Sequence, residues 1–320
     1  MTYNAELTRK GPGLLVRDLV RFEDPVLLQT LQRVVRLSPD VLALQSIDYD
    51  HSGVGLGLVQ QRLGELGLDL PHVFSAPPNT GLKTGFDLDR DGKLDTASDR
   101  QGYGLYAGHG GMALLSRFPF MTEAAQDFSA QLWRDVPNAR LPNSYYTDAE
   151  LGVLRLFNVG AWDIPVALPD GVARILVVQT SPPVFDGPEN RNGLRNADQL
   201  RFLLRHLEGV SGRFVLMGGL NNDPFDGEGM KPALHALLGS SRLINVTPRA
   251  RIYTDDPPHL GPPEQDTVDW GRDIGSLRVD YILPSAGWRV AASAVERDQP
   301  TGQGADGPPH KPVWVDLFWE

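Results

Sequence analysis

The chain contains no cysteine. Disulfides, a thiolate nucleophile and a cysteine-ligated zinc site are therefore excluded. Its seven histidines are scattered, and no His-x-x-x-His pair occurs to set two imidazoles on one helix face. No apolar run reaches the ~18 residues a membrane-spanning helix needs, and no signal-peptide pattern is visible. Positive charge is also scarce: 30 Lys and Arg against 40 Asp and Glu give a net charge of −10. That balance argues against a nucleic-acid binder that works by neutralising phosphates.

What is present suits a globular α/β protein. An apolar fraction of 41% and a charged fraction of 22% are ordinary for a packed domain. No repeat of fixed period occurs, and no linker is long enough to divide the 320 residues. The expectation is one domain over residues 1–320, with an insertion at 85–99.

The stretch Phe214-Val-Leu-Met-Gly-Gly-Leu-Asn221-Asn-Asp-Pro224 organises the rest. Four apolar residues run into paired glycines, which reads as a buried strand opening into a polar loop. Further strands are expected at Val41–Leu44, His72–Ser75, Gly111–Ser116, Leu151–Val159, Ile175–Thr180, Ser276–Leu283, Trp288–Ala294 and Pro312–Phe318. Asp24 followed by Pro25 reads as a helix start, and Leu27, Leu28, Leu31, Val34 and Val35 keep helical spacing up to Pro39. Helices are also expected around Leu58–Leu66, Asn196–Leu207 and Ala233–Leu238. Glu6–Arg21, Ala76–Gly108 and the proline-rich stretch 255–264 read as loops.

Seven segments together resemble the endonuclease/exonuclease/phosphatase superfamily of metal-dependent phosphoesterases. They are Thr2-Tyr-Asn4, Asp40-Val-Leu-Ala-Leu-Gln45-Ser46, Gly111-Met-Ala-Leu-Leu-Ser-Arg-Phe-Pro119, Val177-Val-Gln-Thr180-Ser181, Gly218-Gly219-Leu220-Asn221, Arg278-Val-Asp280-Tyr-Ile-Leu and Pro308-Pro309-His310-Lys-Pro-Val, in the family's order. The resemblance implies a four-layer α/β/β/α sandwich of two mixed sheets flanked by helices. It also implies an opening strand that is very short here, or upstream residues removed, for instance with an export signal.

The family's chemistry, by the same resemblance, uses a divalent cation to neutralise phosphate oxygens in the transition state. A Glu holds the ion, an Asp orients water, and an Asp–His pair polarises the phosphate. Carried over position by position, Asn4, Asn221, Asp280 and His310 are retained. Ser46 stands for the Glu, Ser181 for a His, Gly219 for the water-orienting Asp and Pro309 for the Asp before His310. Three of these four changes remove a carboxylate. Loss of one catalytic group typically costs ~10²–10³ in rate, although such losses need not add.

Two readings are open. One is a phosphoesterase-fold protein with a depleted catalytic set, weakly active or non-catalytic, binding a phosphate-bearing small molecule or a protein partner through its pocket or loops. The other is an active Mg²⁺- or Mn²⁺-dependent phosphomonoesterase or phosphodiesterase with rewired ligands around Asn4, Asp48, Asn221, Asp280 and His310. Asp48 enters because strand alternation puts it on the face of Ser46. Its other reading is a polar strand end before the turn Asp50-His51-Ser52-Gly53. Asp223 and Asp226 offer a similar possibility. Asn4 and Asn221 could equally be strand-end caps.

Separately, Asp87-x-Asp89-x-Asp91-Gly92-Lys93-x-Asp95 matches the first nine positions of a calcium loop: oxygens at 1, 3 and 5, glycine at 6 and a carbonyl from Lys93 at 7. The twelfth position is Ser98, beside Asp99. A structural Ca²⁺ ordering this long loop is expected, and it favours a periplasmic or secreted setting, where calcium is abundant. Trp133-Arg134-Asp135 and Trp162-Asp163-Ile-Pro165 read as core aromatics beside paired charges. The arginines of Asn190–Arg195 read as solvated surface charge.

Overall fold

The computed structural model describes residues 1–253, 259–271, 274–297 and 308–319. Residues 255–258 of the proline-rich stretch lie outside the described residues. In chain order the strands are β1 (Thr2–Leu7), β2 (Val41–Ile47), β3 (His72–Phe74), β4 (Gly111–Ser116), β5 (Gln126–Asp127), β6 (Gly160–Leu168), β7 (Gly171–Gln179), β8 (Arg213–Gly219), β9 (Val268–Asp269), β10 (Ser276–Leu277), β11 (Asp280–Pro284), β12 (Trp288–Val295) and β13 (Val313–Trp319). The helices are α1 (Leu14–Arg21), α2 (Pro25–Leu37), α3 (Val54–Glu65), α4 (Asp148–Leu151), α5 (Arg191–Gly209) and α6 (Lys231–Leu238).

Strand alternation builds the layers. Along β8, Phe214 and Leu216 face outward onto Leu200, Leu203 and Leu207 of α5 and Leu234 and Leu237 of α6. Val215 and Met217, one residue out of phase, point the other way and meet Ala43, Met112 and Leu114 of the opposing sheet. On that sheet Leu42 and Leu44 face outward onto Leu15, Leu19, Leu31, Val59 and Leu63 of α1, α2 and α3. The result is helices, sheet, sheet, helices, as expected. Each fully buried aliphatic side chain contributes about 1.5–3 kcal/mol relative to exposure. A one-residue slip of a central strand would therefore be prohibitive.

The first sheet has the order β12-β13-β1-β2-β4-β3 and the second β11-β8-β7-β6-β5, with β10-β9 a small separate ribbon. Two neighbouring pairs are parallel, β1 with β2 and β7 with β8. Parallel pairing brings their C-terminal ends to one side of each sheet, where polar loops come next.

Local signals mostly operate as expected. Asp24 Oδ1 accepts from the Val26 and Leu27 amides, and Ser38 (φ 45°) closes α2 before Pro39. Three expectations fail. The strand expected over Ser276–Leu283 is two, β10 and β11, which pair in different sheets because the chain leaves the ladder at Arg278 and Val279. The Glu6–Arg21 loop contains α1, because nothing after Gly13 breaks a helix and Leu15 and Leu19 bury one face. The strand expected over Leu151–Val159 begins only at Gly160; Leu154, Leu156 and Phe157 are buried as irregular chain.

Candidate active site

A cavity of about 920 Å³ opens where the two sheets end, lined by Asn4, Ser46, Gln179, Thr180, Asn221 and His310 among others. The strand register fixes who sits beside whom. Gly219 pairs with Gln179 of β7 on one side and with Asp280 of β11 on the other.

His310 and Asp280 form a buried pair, each 2% exposed. His310 Nδ1 lies 2.8 Å from Asp280 Oδ2, which also accepts from the Thr267 hydroxyl at 2.9 Å. With Nδ1 donating to the carboxylate, Nε2 is the nitrogen left for the cavity, and the Trp270 ring packs edge-on against the imidazole at 5.3 Å. Among the described residues Asp280 Oδ1 is buried with no hydrogen-bond partner. Asn4 also lines the cavity, and its buried Oδ1 likewise has none among them. Asn221 sits at φ 48° and its amide donates to the Thr180 carbonyl at 2.6 Å, a strand-end cap that also borders the cavity.

Of the four positions that depart from the resemblance, Gly219 and Ser181 are packed against glutamine side chains. A Cβ on Gly219 would collide with Gln179, whose Cδ lies 2.8 Å from that point, so the Gln179 carboxamide fills the space of a side chain here. Ser181 is 2% exposed and tied to Gln199: its amide donates to Oε1 at 2.8 Å and its hydroxyl accepts from Nε2 at 3.2 Å. Pro309 has no side-chain donor and offers its carbonyl to the Asp269 amide. Ser46 lines the cavity at φ 54°, within a bulge where Gln45 and Ile47 pair with Met112 and Gly111.

That bulge breaks the alternation from which Asp48 was placed beside Ser46. Asp48 borders a separate small recess, and its carboxylate accepts from the Arg9 amide at 2.8 Å and the Gly110 amide at 3.2 Å. Asp223 and Asp226 border the cavity but are committed to backbone. Asp223 accepts from Phe225, Asp226 and Arg278, and Asp226 from Leu260 and Gly261.

Sequence reasoning missed Gln179 and Glu6. Glu6 lines the cavity two residues after Asn4, at φ 49°. Its side chain stands exposed at the rim, yet the surrounding protein excludes enough water to raise its carboxyl above the usual range, opposed by the charges of His310 and Lys311. Its spacing from Asn4 was the available signal.

Elsewhere, Asp87, Asp89 and Asp99 bring carboxylate oxygens within 4.8 Å of one another. Asp87 accepts from the Gly92 amide, Asp89 from Asp91 and Asp91 from Lys93, with Gly92 at φ 80° making the sharp turn. Asp99, not Ser98, closes the cluster. Asp95 turns away to Lys83 at 2.8 Å, and Lys93 projects into solvent beside Asp91. Arg90 fastens the loop to Glu150 of α4 through two bonds of 2.5 and 2.8 Å. That guanidinium holds the Glu150 carboxyl at about 2.

Trp133 and Trp162 are core residues, 1% and 2% exposed. Arg195 corrects the surface-charge expectation. It is buried, donates to the carbonyls of Leu156, Gln101 and Arg155, and burial lowers its pKa to about 10. Arg191 pairs with Glu189.

A model of the Endonuclease/Exonuclease/phosphatase family matches residues 1–302. No curated protein matches the chain. Among solved structures it is similar to an endonuclease/exonuclease/phosphatase from Beutenbergia cavernae DSM 12333, with 18% identity over 99% of this chain and 70% of that one and a TM-score of 0.58. A family protein from Leptotrichia buccalis is 15% identical over 99% and 98% of the two chains, TM-score 0.56. One from Bacteroides vulgatus is 13% identical over 100% and 97%, TM-score 0.54.

Proposed function

Because the chain belongs to the endonuclease/exonuclease/phosphatase family, we propose that it is a phosphoesterase-fold protein that has given up family-type hydrolysis and uses the cavity to bind a ligand. The observation that carries this reading is the Gln179 carboxamide filling the side-chain space of Gly219. With glycine at this position no carboxylate is there to orient water, and an uncharged amide stands in the space instead.

The donor set supports the same reading. Unpartnered oxygens of Asn4 and Asp280 are acceptors a cation could use. A hard divalent ion, however, is held chiefly by carboxylates, and Ser46 and Gly219 supply none. Asp48, Asp223 and Asp226 are spent on backbone amides. Among the described residues, Glu6 and Glu228 remain at the rim. The set does not fit the family's catalytic ion. The Asp280–His310 pair is then a support of the fold.

The test is hydrolysis of bis-p-nitrophenyl phosphate and p-nitrophenyl phosphate with Mg²⁺, Mn²⁺ or Ca²⁺. The reading expects background rates with every ion. Metal-dependent turnover abolished by His310→Ala would establish the active alternative instead.

A second part of the reading concerns the 85–99 loop. A structural Ca²⁺ held by Asp87, Asp89 and Asp99 would relieve the repulsion among three carboxylates, and Asp87 Oδ1 is buried without a partner. This goes with an exported setting, and with a single domain spanning the chain.

A further inference from the structure

We infer that the cavity takes an uncharged, hydroxyl-rich ligand, a sugar or polyol, in preference to a phosphate ester. The inference rests on the proposal that no catalytic cation is held there.

Charge comes first. Among the described residues no lysine or arginine lines the cavity, while Glu6, Asp223, Asp226 and Glu228 do. Among the described residues, its only groups able to become cationic are His109 and His310. A phosphate monoester carries about −1.5 to −2 charges near neutral pH and is ordinarily met by Arg, Lys or a metal. Among the described residues the lining offers a phosphate four carboxylates and no basic side chain, and so repels it.

Hydrogen-bonding capacity comes second. Four lining residues have a buried side-chain oxygen with no partner among the described residues: Asn4 Oδ1, Thr80 Oγ1, Gln179 Oε1 and Asn222 Oδ1. Asn4 and Thr80 are each 6% exposed and Asn222 2%. Buried acceptors left unpaired are costly, so they call for donors. An ionised phosphate offers only acceptors; a ring of hydroxyls offers donors as well.

Shape comes third. The mouth carries the rings of Tyr103 and Trp270, 66% and 44% exposed. Flat apolar rings above a floor of amides and hydroxyls complement a molecule with a C–H face and a polar rim.

Saturation-transfer NMR tests this on the full chain in EDTA. One mixture holds glucose, galactose, mannose and myo-inositol; the other holds glucose 6-phosphate, mannose 6-phosphate and inositol 1-phosphate. The expected result is transfer to at least one neutral compound and none to the phosphates. The affinity should fall about tenfold in Tyr103→Ala, whose ring is exposed, and in Gln179→Met, which keeps the shape and loses the acceptor. Transfer to the phosphates in EDTA, or to no neutral compound, overturns the inference. Repeating the run with Mg²⁺ and following ³¹P separates the two ideas: release of inorganic phosphate would sink the non-hydrolytic reading itself, whereas phosphate binding without release sinks only the ligand class.

Discussion

The Gln179 side chain occupies the place where a side chain on Gly219 would stand, and the two residues are register partners across the parallel β7–β8 pair. Gly219 and the neighbouring carboxamide thus form one packed unit. A larger residue at 219 requires the Gln179 side-chain end to move aside.

Gly219→Asp alone should displace the flexible end of Gln179 and destabilise the protein by about 1 kcal/mol, the low end for overpacking, without producing turnover. Adding Gln179→Ala should recover much of that loss, because residues in contact couple. Denaturant titration of the two single variants and the double variant checks this. Additive losses would show that the two side chains do not compete for one space.

His310→Ala removes the partner of a buried carboxylate and leaves Asp280 with the Thr267 hydroxyl. The expected cost is roughly 1–3 kcal/mol, with no change in the background hydrolysis rate. The two readouts separate fold support from catalysis.

Calcium should raise the melting temperature, with a stabilisation of about 2.7 kcal/mol at a hundred times Kd. Asp87→Ala and Asp99→Asn should abolish the effect. Asp95→Ala should weaken it far less, since Asp95 is paired with Lys83 outside the cluster. Calorimetric unfolding with and without Ca²⁺ reads all three.

Arg90 depresses the Glu150 carboxyl to about 2, from an ordinary value of 4.5. A depressed acid stabilises the fold fully above its unfolded pKa, and that contribution fades as pH falls from about 4.5 toward 2. Wild-type protein should therefore lose stability over this window more steeply than Arg90→Ala. Equal slopes in denaturation series across that range would contradict the assignment.

The layers were legible because period-two alternation is a property of neighbours in sequence. Leu42 and Leu44 reach one core and Ala43 another, whatever the tertiary details. The calcium-like loop was legible for a similar reason: Asp87, Asp89 and Asp91 bond amides a few residues on. Asp48 was misplaced because Ser46, with no glycine to announce it, takes φ 54° and shifts the phase of the residues after it. Gln179 stayed invisible because its meeting with Gly219 depends on a parallel register between strands far apart in the chain, which the local pattern does not encode. Arg195 reads as surface charge until helix α5 turns it toward carbonyls from distant loops.

The most direct measurement is Mn²⁺ binding by electron paramagnetic resonance on the Asp87→Ala, Asp99→Asn protein, where the loop cluster no longer contributes. The account predicts free Mn²⁺ only, at every concentration short of nonspecific association. One tightly bound Mn²⁺ per chain, lost on Asn4→Ala or Glu6→Gln, would contradict it.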